Sequence, residues 1–300
     1  MSNSLLTLRG RDFLSVSDFD RTELLAVLDL AGEMKTGAFS ERPLAGREVA
    51  ILFQKPSMRT RVSFEVGISK LGGHSVTLGE QDVQLGTRET FSDAGRVLDR
   101  YVDCIIARFR SHDELTQLAQ WATVPVVNAL TDREHPCQVL ADLMTIREHL
   151  GSLDKRVAFV GDGNNMVVSL AGASARLGFE LTVVTPPGYR PPAEVVANAP
   201  GVEVTGDLSA VDGADVVYTD VWASMGWEAE REVRRREFAE YQVDAALMAR
   251  SPKALFMHCL PAHRGEEVTD EVIESERSIV FDQAENRLWA QMALLALIVG

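Results

Sequence analysis

Arg156-Val-Ala-Phe-Val160, followed directly by Gly161-Asp-Gly-Asn-Asn165 and then by apolar residues at helical spacing as far as Leu177, is the stretch that decides the fold. A strand exposed on one face alternates apolar and polar residues, whereas this one is apolar in its last four positions and so is buried on both faces. The glycines permit a tight turn, an Asn is available to cap the helix, and Gly178 is suited to end it. A doubly buried strand feeding a helix is the unit of a parallel sheet covered by helices on both sides.

Working outward, the same alternation recurs. Downstream, strands are expected at 180–184, 202–205, 215–219 and 254–259, with Pro186, Pro187, Pro191 and Pro192 marking a surface loop. Upstream, strand 48–53 leads through a polar loop to a helix at 60–71. Strand 102–109 (VDCIIARF), helix 113–122, strand 124–129 and a long helix 136–150 closed by Gly151 complete that series. An earlier helix carries Leu24, Leu25, Leu28 and Ala31, with Ser17 or Asp18 as its N-cap. The reading is therefore an α/β protein of two domains, each a parallel β-sheet flanked by helices, with a cleft between them. Residues 1–148 form the first domain and 149–283 the second, and a terminal helix at about 284–300 packs back onto the first.

The composition narrows the function. Across 300 residues, 44 acidic and 30 basic side chains leave a formal net charge of −14. An acidic coat argues against nucleic acid and against anionic membrane surfaces as partners. It leaves anionic small molecules open, because the local field of a cleft governs their capture. Cys104, Cys137 and Cys259 are few and far apart, which suits a reducing, cytoplasmic setting and offers neither a disulfide framework nor a zinc-binding pair. No apolar run is long enough to span a membrane, and the first residues lack the pattern of a signal peptide.

Several loops carry side chains with chemistry in them. Ser57-Met58-Arg59-Thr60-Arg61 lies at a helix start, where free N–H groups, the helix dipole and forked guanidiniums suit a phosphate. Arg108 ends a strand, and His135-Pro136-Cys137-Gln138 opens a helix with an imidazole and an amide able to polarise a carbonyl. Asp220 and Ser224, with Met225 and Gly226 beside them, offer a carboxylate and a hydroxyl for an ammonium group. His258-Cys259-Leu260-Pro261 sets a thiol at another strand end. Each of these read singly also fits a structural cap or turn. Gly161-Asp-Gly-Asn-Asn165 falls short of a dinucleotide site: Met166 stands where a third glycine belongs, and no acidic ribose ligand ends the next strand.

Together the segments SMRTR (57–61), QLGTRET (84–90), HPCQVLADL (135–143), GDGNN (161–165), DVWASMG (220–226), HCLPAHRG (258–265) and AENR (284–287) resemble, in order, the ornithine carbamoyltransferase family of the aspartate/ornithine carbamoyltransferase superfamily. The resemblance implies a transferase that needs no cofactor or metal. Its substrates would be carbamoyl phosphate, bound by the first domain, and L-ornithine, bound by the second. It further implies a homo-oligomer, a trimer or a multiple of trimers. Carried over by position, Ser57, Met58, Arg59 and Thr60 would hold the phosphate, with Arg108, His135, Gln138 and Arg287 at the carbamoyl group. Gln84 would reach toward a neighbouring subunit's site. Asn165, Asp220, Ser224 and Met225 would grip ornithine, and Cys259 and Leu260 would lie between the substrates. Arg108, His135, Asp220 and Cys259 are the residues expected to take part in catalysis. One departure stands out: Met58 occupies a position the family fills with Thr, leaving its backbone N–H but no hydroxyl.

The rivals are carbamoyltransferases for aspartate, putrescine or an N-acylated ornithine, and an inactive binding or regulatory relative. The expected basic exception to the acidic coat is Arg59, Arg61, Arg108, His135 and Arg287, with Glu266, Glu267, Asp270, Glu271 and Glu274 placed on a solvated helix.

Overall fold

The computed structural model describes residues 8–223 and 230–300. The chain forms two compact units: one runs to Met144 and takes in Glu285–Gly300, the other is Thr145–Ala284. In the first unit the elements are α1 (Arg21–Thr36), β1 (Glu48–Phe53), α2 (Met58–Lys70), β2 (His74–Gly79), α3 (Glu80–Val83), α4 (Phe91–Leu98), β3 (Cys104–Arg108), α5 (His112–Ala119) and β4 (Val126–Leu130). Helix α6 (Pro136–Leu150) carries the chain into the second unit. There follow β5 (Arg156–Val160), α7 (Asn165–Leu177), β6 (Glu180–Val184), α8 (Ala193–Ala197), β7 (Val202–Thr205), β8 (Val216–Thr219), α9 (Arg231–Glu237), α10 (Ala245–Arg250), β9 (Leu255–His258) and α11 (Asp270–Ile273). The last helix, α12 (Val280–Ile298), begins in the second unit and ends in the first.

Both sheets are parallel throughout. The first has the order β2-β1-β3-β4 and the second β7-β6-β5-β8-β9. In each, the order reverses direction beside the first strand: between β1 and β3, and between β5 and β8. At such a reversal the loops leaving neighbouring strands part to opposite sides, and the crevice they open at the carboxyl edge is where α/β sheets bind ligands. The first crevice receives the loop before Ser57 and the end of β3; the second receives Gly161–Asn164, numbered 161–164, and the segment from Asp220.

The strands are as buried as their apolar runs require. All five residues of β3 and all four of β8 are buried, and Ile51, Ile105, Val157 and Val217 lie in the interior. Where the helix caps form, they follow local hydrogen-bond chemistry. Asp20, two residues beyond the expected Asp18 and three beyond the expected Ser17, caps α1. Its carboxylate accepts from the Glu23 N–H at 2.9 Å, while Glu23 accepts the Asp20 N–H at 2.8 Å. The displaced cap has a simple cause: residues 16–18 form a 3₁₀ turn of their own, capped by Ser15.

Two further expectations are corrected. Strand β2 and helices α3 and α4 lie where no element was read. Pro186 and Pro191 are buried, unlike the solvated loop expected of them. Pro191 presses on Gly163 so closely that a Cβ there would sit 2.3 Å from the proline nitrogen, which is why the position needs glycine.

Candidate active site

In the first unit the site grows from the start of α2. Ser57 is extended and caps the helix, its hydroxyl accepting from the Thr60 N–H at 3.3 Å and donating to the Thr60 hydroxyl at 3.1 Å. Thr60 is buried, and its Oγ1 also accepts from Arg108 Nη1 at 3.4 Å and from Arg287 Nη2 at 3.2 Å. Two buried guanidiniums therefore meet over one hydroxyl at a helix N-terminus.

Arg108 reaches this place because it ends β3. It pairs with Phe53 of β1, and the register against β4 slips by one residue between Ala107 and Arg108. Such a slip re-aims a side chain that regular pleating would direct elsewhere. Arg287 comes from α12 and donates to Gln138 Oε1 at 2.7 Å, and Gln138 donates in turn to Asp142 at 2.8 Å. The amide of Gln138 thus orients a guanidinium.

His135 is buried just ahead of α6. Burial first, then the nearby guanidiniums of Arg287, Arg108 and Arg59, hold its imidazole well below the usual histidine range. A neutral ring can still donate one N–H to a developing oxyanion. Cys137, next in sequence, faces the interior, where burial pushes its thiol up to about 12 and it donates to the Asn128 carbonyl at 3.3 Å.

In the second unit the centre is Asp220, buried at the end of β8. Asn164 Nδ2 donates to its Oδ2 at 2.8 Å and Cys259 Sγ donates to its Oδ1 at 3.0 Å. Asn164 does this while its own oxygen caps α7, accepting from Met166 N at 2.9 Å. The loops after β5, β8 and β9 are thereby joined through one carboxylate.

The Cys259 segment is fixed from behind. Leu260 adopts a left-handed backbone (φ 57°), and its N–H donates to His258 Nδ1 at 2.8 Å. That leaves the His258 proton on Nε2, facing Glu267 Oε1 at 3.1 Å, and Glu267 also accepts the His263 N–H at 2.6 Å. Glu267 is fully buried, which corrects its placement on a solvated helix; Glu266 is half-buried, and Asp270, Glu271 and Glu274 are exposed as expected.

Comparison with known proteins fits both half-sites. Residues 11–148 match the "Aspartate/ornithine carbamoyltransferase, carbamoyl-P binding domain" and residues 153–298 the "Asp/Orn binding domain" of the same family. The chain belongs to the aspartate/ornithine carbamoyltransferase family. It is 52% identical to the "Ornithine carbamoyltransferase" of Symbiobacterium thermophilum over 99% of this chain and all of that one. It is 49% identical to the "Ornithine carbamoyltransferase, anabolic" of Pyrococcus furiosus over 99% of this chain and 98% of the other. The solved ornithine carbamoyltransferase of Pyrococcus furiosus superposes with a TM-score of 0.94 at 50% identity, covering 98% of each chain.

Within this carbamoyltransferase, Ser57, Arg59, Thr60, Arg108, His135, Gln138 and Arg287 lie in the first unit, and the hydrogen bonds and charges above link Ser57, Thr60, Arg108, Gln138 and Arg287 with His135 beside them. Met58 is the first residue of α2 and 72% exposed, so its side chain points to solvent. Arg61 also departs from expectation: it lies exposed and pairs with Glu65 one turn on, at 3.0 Å. Gln84 is exposed and ends α3 in a left-handed conformation. Asn165 opens α7, and Cys259 and Leu260 belong to the second unit. Ser224 and Met225 lie outside the described residues.

Asp162, Glu267 and Arg234 make contacts around these loops that the sequence did not announce, and Asn164 makes one beyond its cap. Asn164 was legible as a helix cap; that the same amide holds Asp220 depends on the β5–β8 pairing.

Proposed function

We propose that this chain is an ornithine carbamoyltransferase, moving the carbamoyl group of carbamoyl phosphate to the δ-amine of L-ornithine to give L-citrulline and phosphate. The observation that carries the reading is the convergence of Arg108 and Arg287 on Thr60 at the N-terminus of α2, with neutral His135 beside them. A helix start with forked cations suits a phosphate, and the same guanidiniums and imidazole suit the oxygen of its carbamoyl group. Full-length relatives at about half identity bear the same enzyme name.

In this reading Ser57, Met58 through its N–H, Arg59 and Thr60 bind the phosphate. Arg108, His135 and Thr60 receive the carbamoyl oxygen. Asn165, Asp220, Ser224 and Met225 hold the amino-acid end of ornithine, and Cys259 and Leu260 flank the reacting amine. The neutral δ-amine attacks the carbamoyl carbon, forming a C–N bond and a tetrahedral oxyanion. The C–O bond to phosphate then breaks, and the amine's proton leaves with the phosphate. Most of the acceleration comes from holding two substrates in contact, worth up to about 7–11 kcal/mol, and each oxyanion donor adds about 3–4 kcal/mol.

The proposal extends to assembly and setting. Met58, Val62 and Val66 recur every fourth residue on the exposed face of α2, and Val76 is exposed on β2, the edge strand of the first sheet. An apolar stripe beside an open sheet edge supports a homo-oligomer of trimeric order, in which Gln84 reaches a neighbour's site. Three widely spaced thiols, none in a disulfide, support a cytoplasmic enzyme of arginine metabolism. No helix among the described residues is long and apolar enough to cross a membrane.

The test is a product assay with carbamoyl phosphate and, in turn, ornithine, putrescine, aspartate and N-acetylornithine. Citrulline from ornithine, with little turnover of the other three, is the expected result. Preference for any of the others, or no transfer at all, overturns the assignment.

A further inference from the structure

Helix α9 carries a run, Arg231-Glu-Val-Arg-Arg-Arg-Glu237, that reads as a solvated charged face, yet one of its arginines is buried. Arg234 is 6% exposed. Its Nη1 donates to Asp162 Oδ2 at 2.6 Å and to the Trp222 carbonyl at 2.8 Å, and its Nε donates to Glu230 at 3.1 Å. Its guanidinium carbon lies 4.8 Å from the centre of the Tyr189 ring.

Asp162 and Trp222 belong to the two loops that flank the second crevice. Asp162 stands two residues before Asn164, and Trp222 two residues after Asp220; Asn164 and Asp220 are themselves hydrogen-bonded at 2.8 Å. Tyr189 closes the arrangement, because its carbonyl accepts the Gly163 N–H at 2.8 Å. Burial pushes the Asp162 carboxyl up, with Asp220 and Glu230 adding to the push, while Arg234 pulls it back toward the charged form. The guanidinium is thus the counter-charge that allows an acidic group to sit in this loop.

We propose that Arg234 is a positioning residue for the amino-acid half of the site: one guanidinium sets the loop bearing Asn164 and Asn165 against the loop bearing Asp220, and so sets the affinity for ornithine. The proposal rests on the ornithine reading above. A planar fork donating in two directions while stacked on a ring is specific to arginine. Lysine keeps the charge but neither the fork nor the stack. Displacing a binding group by about 1 Å is enough to change turnover by about a hundredfold. Arg234 touches no substrate in this scheme, and Asp162, Tyr189, Trp222 and Glu230 all belong to the second unit, so its influence is expected on one of the two substrates.

The experiment measures steady-state constants for both substrates, and carbamoyl phosphate affinity by calorimetry, in the wild type, Arg234→Lys and Asp162→Asn. Expected is a rise of about tenfold or more in the ornithine KM for Arg234→Lys, and a smaller rise for Asp162→Asn. The carbamoyl phosphate dissociation constant should stay within about twofold. Folded variants with wild-type ornithine KM, or equal damage to both substrates, overturn the proposal. So does unfolding of both variants, which would make Arg234 a folding anchor. An active wild type with unaffected variants sinks this inference alone, whereas a wild type that makes no citrulline sinks the functional reading first.

Discussion

His135 is nearly enclosed and faces three guanidiniums, so its ring binds a proton more weakly folded than unfolded. The sign of the linkage follows: the unfolded chain gains the proton first as pH falls, so this stabilising contribution is complete above the ordinary imidazole pKa of about 6.5 and is lost below it. Replacing His135 with Gln should flatten the decline of unfolding free energy between about pH 6.5 and 5 by up to about 1.4 kcal/mol per pH unit. Denaturant titrations at several pH values read this directly, and an unchanged slope would mean that the ring already carries its proton in the fold. Single residues were also where sequence reading reached its limit. Arg59, Thr60 and Arg108 announce themselves because a helix start or a strand end is a local feature. Glu267 and Arg234 do not, because each sits in a charged run and acquires its role from partners outside it that only the fold brings into reach: His258 for one, Asp162 and Trp222 for the other.

The elements that were legible are those buried on both sides. Strands β5 and β6 and helix α6 fall where the apolar runs and caps placed them, because a covered parallel strand has no choice but a largely apolar sequence. Strand β2, His-Ser-Val-Thr-Leu-Gly, is the counterexample. It pairs only with β1, has no fully buried residue, and carries the mixed sequence an edge permits. Local caps also hold these elements, and α1 offers a clean measure. Asp20→Ala removes one half of a reciprocal cap far from the chemistry, and should cost about 1 kcal/mol and lower Tm by about 2–4 °C. The kcat should not move; a stability equal to wild type would show the cap to be idle.

For the whole molecule, a net charge of −14 makes copies of the chain repel one another unless an uncharged surface draws them together. The stripe Met58, Val62 and Val66 is such a surface, so Val62→Glu should shift the sedimentation profile from trimer toward monomer. A wild-type chain that sediments as a monomer at micromolar concentration removes the assembly proposal. A different consequence follows from α12, which starts in the second unit but delivers Arg287 to the first. On the ribosome the first unit is nearly complete once Met144 has emerged, but its second buried guanidinium is still unmade. At about 5–20 residues per second, the intervening segment keeps the anion pocket unfinished for on the order of ten seconds. A nascent chain therefore cannot sequester its phosphate-bearing ligand until the last helix arrives, and capture becomes a property of finished molecules alone.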